Sequence, residues 1–220
     1  MAQTVEVLHT GFITHDVKQI ITTRPDRLDF EPGQGVELSL DREGWREEGR
    51  PLTPTSRTDE PVLEFTIKEY PEHDGVTTRL HGLKAREKLL VSDAFGTITS
   101  KGPGTFIAGG AGVTPFLAIF RHMSTDELAG TTLLFSNRTP ADVICERELR
   151  HLLGDRCHLT CTARSGEGYD DRRIDQSYIQ ERIGGIDQPF YLCGPRKFVD
   201  DIRDALVALG AARARIVTEE

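Results

Sequence analysis

Long hydrophobic runs are missing from this chain of 220 residues. No stretch reaches the roughly 18 consecutive apolar residues of a membrane span, so none is expected. The first residues, MAQTVEVLHTG, lack the basic start and apolar run of a signal peptide, which points to the cytoplasm. Cysteine is scarce: Cys145, Cys157, Cys161 and Cys193 contain no CxxC pair. Cys157 and Cys161 read as members of one strand, roughly 13 Å apart at about 3.3 Å per residue. That is too far for a disulfide, and buried reduced thiols are expected. The seven histidines form no HExxH-like set, so no metal is expected. Surplus positive charge is absent too. A formal charge of −8 argues against a protein that grips a nucleic-acid backbone.

What is present suits a folded protein. Hydrophobic residues make up 37% and charged residues 28%, enough for a packed core. Two halves differ in period. Over residues 1–101, the runs VEVLHTGFI, VKQIITTR, GVELSL, PVLEFTIKEY and KLLVSDAF are short and β-rich. Turn signals at Arg24-Pro25-Asp26, Pro32-Gly33, Asp59-Glu60-Pro61 and Asp74-Gly75 separate them, as in a small antiparallel barrel. A short helix is expected at Thr77–Leu83. Over residues 102–220, the apolar runs TFIAG, TTLLFSN, HLTCTA, FYLC and RIV alternate with helical patterns. That alternation predicts βαβ units and a parallel sheet. Lys101-Gly102-Pro103-Gly104 reads as the linker, and Gly210 as the stop of the last helix.

The stretch TFIAGGAGVTPF, residues 105–116, joins the first strand of the second half to its first helix. Gly109, Gly110 and Gly112 permit a tight turn and close backbone approach. Thr114 reads as the N-cap and Pro115 as the first helical residue. A helix amino end beyond a strand's carboxyl end suits a pyrophosphate. A merely tight turn would ask for the same glycines.

Four motifs, in order, carry a resemblance. Arg50-Pro51-Leu52-Thr53, Asp74-Gly75-Val76-Thr77-Thr78, Gly109-Gly110-Ala111-Gly112-Val113-Thr114-Pro115 and Cys193-Gly194-Pro195 resemble the flavin and nicotinamide motifs of the ferredoxin–NADP reductase family. The resemblance implies a two-domain α+β fold: an N-terminal antiparallel Greek-key β-barrel holding FAD, and a C-terminal α/β parallel-sheet domain binding NADP or NAD. It implies that Arg50 grips the FAD pyrophosphate, that Thr53 lies near flavin N5, and that Gly75, Val76, Thr77 and Thr78 receive the FAD phosphates. Leu52 stands where the family usually has an aromatic stacked on the flavin. Lys68 and Tyr70, on the preceding strand, are candidates to flank the adenine or ribose. Cys193, with Gly194 and Pro195, is placed beside the nicotinamide C4. Thr53 and Cys193 then act as positioning residues, because the cofactors carry the chemistry.

For a 2′-phosphate the available cations are Arg138, Arg164, Arg172 and Arg173, with Arg164 and Arg173 the chosen pair. Glu167, Asp170 and Asp171 share their loop and would oppose a phosphate, so NADP and NAD both remain open. The end of the chain, RARIVTEE, carries no aromatic, which implies an open nicotinamide face. The cysteines lack the CxxxxCxxC run of a [2Fe-2S] domain. Electrons from NAD(P)H are therefore expected to leave to a separate protein acceptor: a flavodoxin, a ferredoxin or an oxygenase component. The rival readings are an electron-transfer subunit of a larger oxygenase-type complex and a flavin-free nucleotide-binding regulatory module.

Overall fold

A computed structural model describes residues 2–70, 75–96, 98–164 and 166–219. They fall into two compact units, Met1–Thr99 and Ser100–Glu220.

The first unit holds β1 (Gln3–Phe12), β2 (Val17–Thr23), β3 (Val36–Leu40), β4 (Arg50–Leu52), β5 (Val62–Lys68), a short helix α1 (Val76–His81) and β6 (Lys88–Val91). Alternation of apolar and polar residues sets the inward face. Leu63, Phe65 and Ile67 of β5 are buried, as are Val5 and Val7 of β1 and Leu38 and Leu40 of β3. The strands form one antiparallel sheet in the order β4-β3-β6-β1-β2-β5. Its two edges nearly meet. Beyond β4, Pro54 bridges Phe65 of β5, and the Thr55 N–H donates to the Glu64 carbonyl at 2.7 Å. The sheet is therefore a nearly closed barrel, with the crossings of a Greek key. β4 is missing from the sequence reading, since three residues that include a proline carry no strand signal.

The second unit holds β7 (Thr105–Gly109), α2 (Thr114–Phe120), α3 (Thr125–Ala129), β8 (Thr132–Asn137), α4 (Glu146–Leu153), β9 (Cys157–Cys161), α5 (Gln176–Arg182), β10 (Phe190–Cys193), α6 (Arg196–Ala208) and β11 (Ile216–Thr218). All neighbouring strands are parallel, in the order β11-β10-β7-β8-β9. Both faces are covered, so β7 and β10 are buried at every position, as parallel strands require. The unpredicted α3 begins at a reciprocal capping box between Ser124 and Glu127, a signal legible in the sequence. The glycine-rich linker is stitched to this unit: the buried Tyr191 hydroxyl accepts from the Lys101 N–H at 2.8 Å and donates to the Gly102 carbonyl at 2.9 Å.

Candidate functional site

In the barrel unit, the motif residues of β4 open onto solvent. Arg50 is exposed and donates to the neighbouring Gly49 carbonyl at 2.8 Å. Its other N–H groups are free of protein acceptors among the described residues. Leu52 turns the other way and packs against the barrel core. Thr53 is half-buried at the end of β4. Just beyond it, the Ser56 hydroxyl is buried with no hydrogen-bond partner among the described residues. Leaving such a group unsatisfied costs about 1–3 kcal/mol.

The helix α1 starts at Gly75 with no side-chain cap and no acidic residue in its first turn. In that first turn Val76 is buried and Thr77 and Thr78 are half-buried. Asp74, part of the same motif, lies outside the described residues. The other end of α1 is tied down: the buried Lys18 ammonium donates to the His81 carbonyl at 2.7 Å and the Leu83 carbonyl at 3.2 Å. Lys68 is spent on an ion pair with Asp16 at 2.8 Å. Burial acts to raise the Asp16 carboxyl, but bonds from Lys68 and Thr14 outweigh it and hold it low. Tyr70 is exposed.

In the second unit the strand order reverses direction at β7, between β10 and β8. The turns after β7 and β10 therefore meet at a topological switch point, where open α/β sheets bind ligands. They meet backbone to backbone. A Cβ added at Gly112 would lie 2.4 Å from the Cys193 carbonyl and 2.6 Å from the Gly194 nitrogen. One added at Gly194 would lie 3.1 Å from the backbone of Gly109. Gly112 and Gly194 are thus demanded by each other's chain. Gly110 differs: its φ is +54° and nothing lies within 4 Å of its added Cβ. It faces free space in a conformation that favours glycine.

Gly110–Val113 forms a 3-10 turn, and Val113 precedes α2 as its N-cap. Thr114 is therefore inside the helix, and its hydroxyl donates back to the Ala111 carbonyl at 3.0 Å. This corrects the expected cap: the 3-10 turn already supplies the helical entry, so no side chain is needed there. Pro115 occupies the first turn as expected.

Cys193 ends β10 and is buried. Burial first, and then the Glu219 carboxylate that accepts its hydrogen bond, push the thiol far above its ordinary range. It is a neutral thiol, unsuited to attack but able to shape a surface. Glu219 escaped the sequence reading, because nothing local links it to Cys193; β11 beside β10 brings it there. Glu220 lies outside the described residues.

At the carboxyl ends of β8 and β9, Ala163 and Arg164 both donate backbone N–H groups to the Arg138 carbonyl. Arg138 and Arg164 are thereby neighbours, and their exposed guanidiniums have no protein partner among the described residues, nor has that of Arg173. Arg172 is spent: it bonds Asp170 and Glu181 and lies over Tyr178. Asp170 is taken up with it, its carboxyl held low chiefly by Arg172. The Asn137 amide, last in β8, is buried with neither polar atom partnered among the described residues. A cavity of about 570 Å³ lies along the outer edge of β9, lined by His158, Tyr178 and Arg182 among others; it is two strands removed from the switch point.

A family model described as the oxidoreductase NAD-binding domain matches residues 106–204. The reductase component of propane 2-monooxygenase from Rhodococcus jostii is 27% identical over 219 residues, covering 90% of this chain and 59% of that protein. Among solved structures, the FAD/NAD-binding domain of nitric oxide dioxygenase from Vibrio cholerae superposes with a TM-score of 0.85 at 22% identity, covering 98% of this chain and 97% of that one. A ferredoxin NADP+ reductase from Neisseria gonorrhoeae with bound FAD and NADP gives 0.83 at 17% identity, covering 99% and 97%. The chain has the two-domain fold of these reductase structures. The chain spans only 54 to 60% of the length of the propane 2-monooxygenase reductase components it matches. Within this fold, the turns carrying Gly110 and Cys193-Gly194-Pro195 stand at the switch point, and Arg50 and Thr53 stand at the β4 edge of the barrel sheet. Among the described residues, no helix is long and apolar enough to cross a membrane.

Proposed function

We propose that this chain is an NAD(P)H-dependent, FAD-containing reductase that delivers electrons to a protein acceptor. The observation that carries the reading is the crossing of Gly112 and Gly194 at the switch point, with Cys193 buried beneath it and Gly110 facing free space. The residues fit both cofactors. Among the described residues, Arg50 offers unpaired donors to a diphosphate and Ser56 holds an orphaned hydroxyl. In the second unit, among the described residues, the Asn137 amide is orphaned and Arg138, Arg164 and Arg173 are exposed without a protein partner, available to a phosphate. FAD, when bound, supplies the conversion of two-electron donation by NAD(P)H into single-electron delivery. The chain's own residues bind, orient and exclude water. Thr53 presents a hydroxyl at the end of β4, and Cys193 presents a neutral thiol at the end of β10.

The acceptor is a flavodoxin, a ferredoxin or an oxygenase component. The likeness to monooxygenase reductase components supports a second reading, in which the chain serves as the electron-transfer subunit of a larger oxygenase-type complex. We place NADP slightly ahead of NAD, since pairing of Asp170 with Arg172 removes one of the opposing charges. The four free thiols suit the reducing cytoplasm. The test is an absorbance spectrum of the purified protein, followed by anaerobic NADPH or NADH. Flavin bands that bleach support the reading. A protein that stays colourless with FAD supplied overturns it in favour of a flavin-free nucleotide-binding module.

A further inference from the structure

β9 is an edge strand of the parallel sheet, and its outer edge is only partly covered. At Thr160 the loop that follows β9 returns alongside it as a parallel bridge. There the Asp170 N–H donates to the Leu159 carbonyl at 3.0 Å, and the Asp170 carbonyl accepts from the Cys161 N–H at 2.8 Å. Backbone groups repeat their direction every second residue along a strand, so the Cys157 carbonyl and the Leu159 N–H face the same outer edge. No hydrogen bond reaches that pair from the outer side among the described residues. Gly168, two residues before Asp170, is placed to continue the ladder but turns away. Its φ is +85°, and its carbonyl accepts from Arg150 at 2.9 Å.

The cavity of about 570 Å³ lies at this position, lined by Cys157, His158 and Leu159 of the strand and by Tyr178 and Arg182 of α5. Sites for small ligands span roughly 300–1,000 Å³. Arg182 is under-used. Its guanidinium lies over the Tyr178 ring, 5.3 Å from the centroid, and reaches Asp170 only at 3.4 Å. Its buried Nε has no partner among the described residues. Asp170 is held more closely by Arg172, at 3.0 Å. Burial first, and then the Arg182 charge, hold the His158 imidazole below its ordinary range, which sets the guanidinium beside His158.

We propose that this cavity captures the carboxyl terminus of a partner polypeptide, laid as a short parallel strand against β9. The unpaired backbone groups dictate the direction. One residue opposite His158 donates its N–H to the Cys157 carbonyl and accepts from the Leu159 N–H, as Asp170 does opposite Thr160. A chain running that way meets Asp170 two residues later, so it ends at the cavity. Its terminal carboxylate takes the Leu159 N–H and the Arg182 guanidinium, a charge-assisted pairing. Asp171, which also lines the cavity, opposes acidic side chains in the incoming segment. Neither cofactor is needed for this binding.

The full chain titrated with the peptide acetyl-Ala-Thr-Val, whose β-branched residues suit a strand, and followed by backbone amide NMR, tests this. Shifts are expected at His158 and Leu159, with slowed hydrogen exchange at the Leu159 amide. The same peptide ending in an amide should bind roughly tenfold more weakly, and one N-methylated at its last residue roughly fivefold more weakly. Arg182→Gln should cost the free acid roughly tenfold and the amide less than about twofold. The peptide comparisons use the wild-type chain, so they report even if that variant folds poorly. No shift at about 1 mM peptide, or shifts centred away from β9, overturns the proposal. Equal binding of acid and amide overturns capture of a chain terminus. Acetate that reproduces the shifts at the same concentration overturns the strand, leaving only a carboxylate contact.

Discussion

Gly110 and Gly112 are separated by one residue yet are required for opposite reasons, and alanine at each separates the two. At Gly112 the new methyl would sit 2.4 Å from backbone atoms of Cys193. Backbone cannot swing aside as a side-chain tip can, so the turn after β10 or the 3-10 turn must shift. We expect a loss of about 3 kcal/mol, at the upper end of the usual cost of overpacking. For a chain of this size that lowers the melting temperature by roughly 6–12 °C. At Gly110 the methyl meets nothing within 4 Å, and the cost is that of φ at +54°. Left-handed backbone costs an L-residue roughly 1–2 kcal/mol, partly offset by about 0.4–1 kcal/mol of unfolded-state entropy. Gly110→Ala is thus expected to melt within a few degrees of wild type, yet to bind NAD(P)H more weakly, because its methyl fills the space offered to the ligand. Thermal melts with nucleotide titrations decide. The reasoning is refuted if Gly112→Ala melts like wild type, or if Gly110→Ala is the less stable of the two.

Other perturbations test other parts of the molecule. Arg50→Ala removes a charge-assisted contact worth about 1.5–3 kcal/mol, so flavin affinity should fall roughly tenfold to a hundredfold; unchanged flavin content and affinity would count against its placement. Arg164→Ala should raise KM for NADPH more than for NADH, and equal effects would remove it from the 2′-phosphate site. Tyr191→Phe strips both bonds to the linker, leaving the Lys101 N–H and the Gly102 carbonyl without that partner; a loss of about 1–3 kcal/mol is expected in urea unfolding. Burial raises the Cys157 and Cys161 thiols to about 11 from an ordinary 9.0. The native chain then keeps protons that the unfolded chain releases. Stability should be level below pH 9 and fall between pH 9 and 11. Urea midpoints across that window should fall less steeply in Cys157→Ala, and an identical slope would refute the assignment.

Much of this protein is legible in its residues taken locally. Period-two runs such as Leu63, Phe65 and Ile67 declare a barrel strand, and fully apolar runs such as Phe190–Leu192 declare a strand buried on both faces. The glycine turn after β7 and the Cys193-Gly194-Pro195 turn announce themselves by composition. These signals depend only on neighbours a few residues apart. What they leave open is which distant segments touch. Parallel strands must be joined by crossovers, and burying both sheet faces decides that β10 lies beside β7. Only then does Gly112 meet Cys193, 81 residues later in the chain. The same pairing sets Glu219 against Cys193. Pairing across the barrel commits Lys68 to Asp16, and the folding of the β9 loop commits Arg172 to Asp170, while Arg164 has no protein partner among the described residues. Composition shows that a charge is present. Its availability for a ligand depends on whether the fold has already given it a partner, and that is decided by tertiary contact alone.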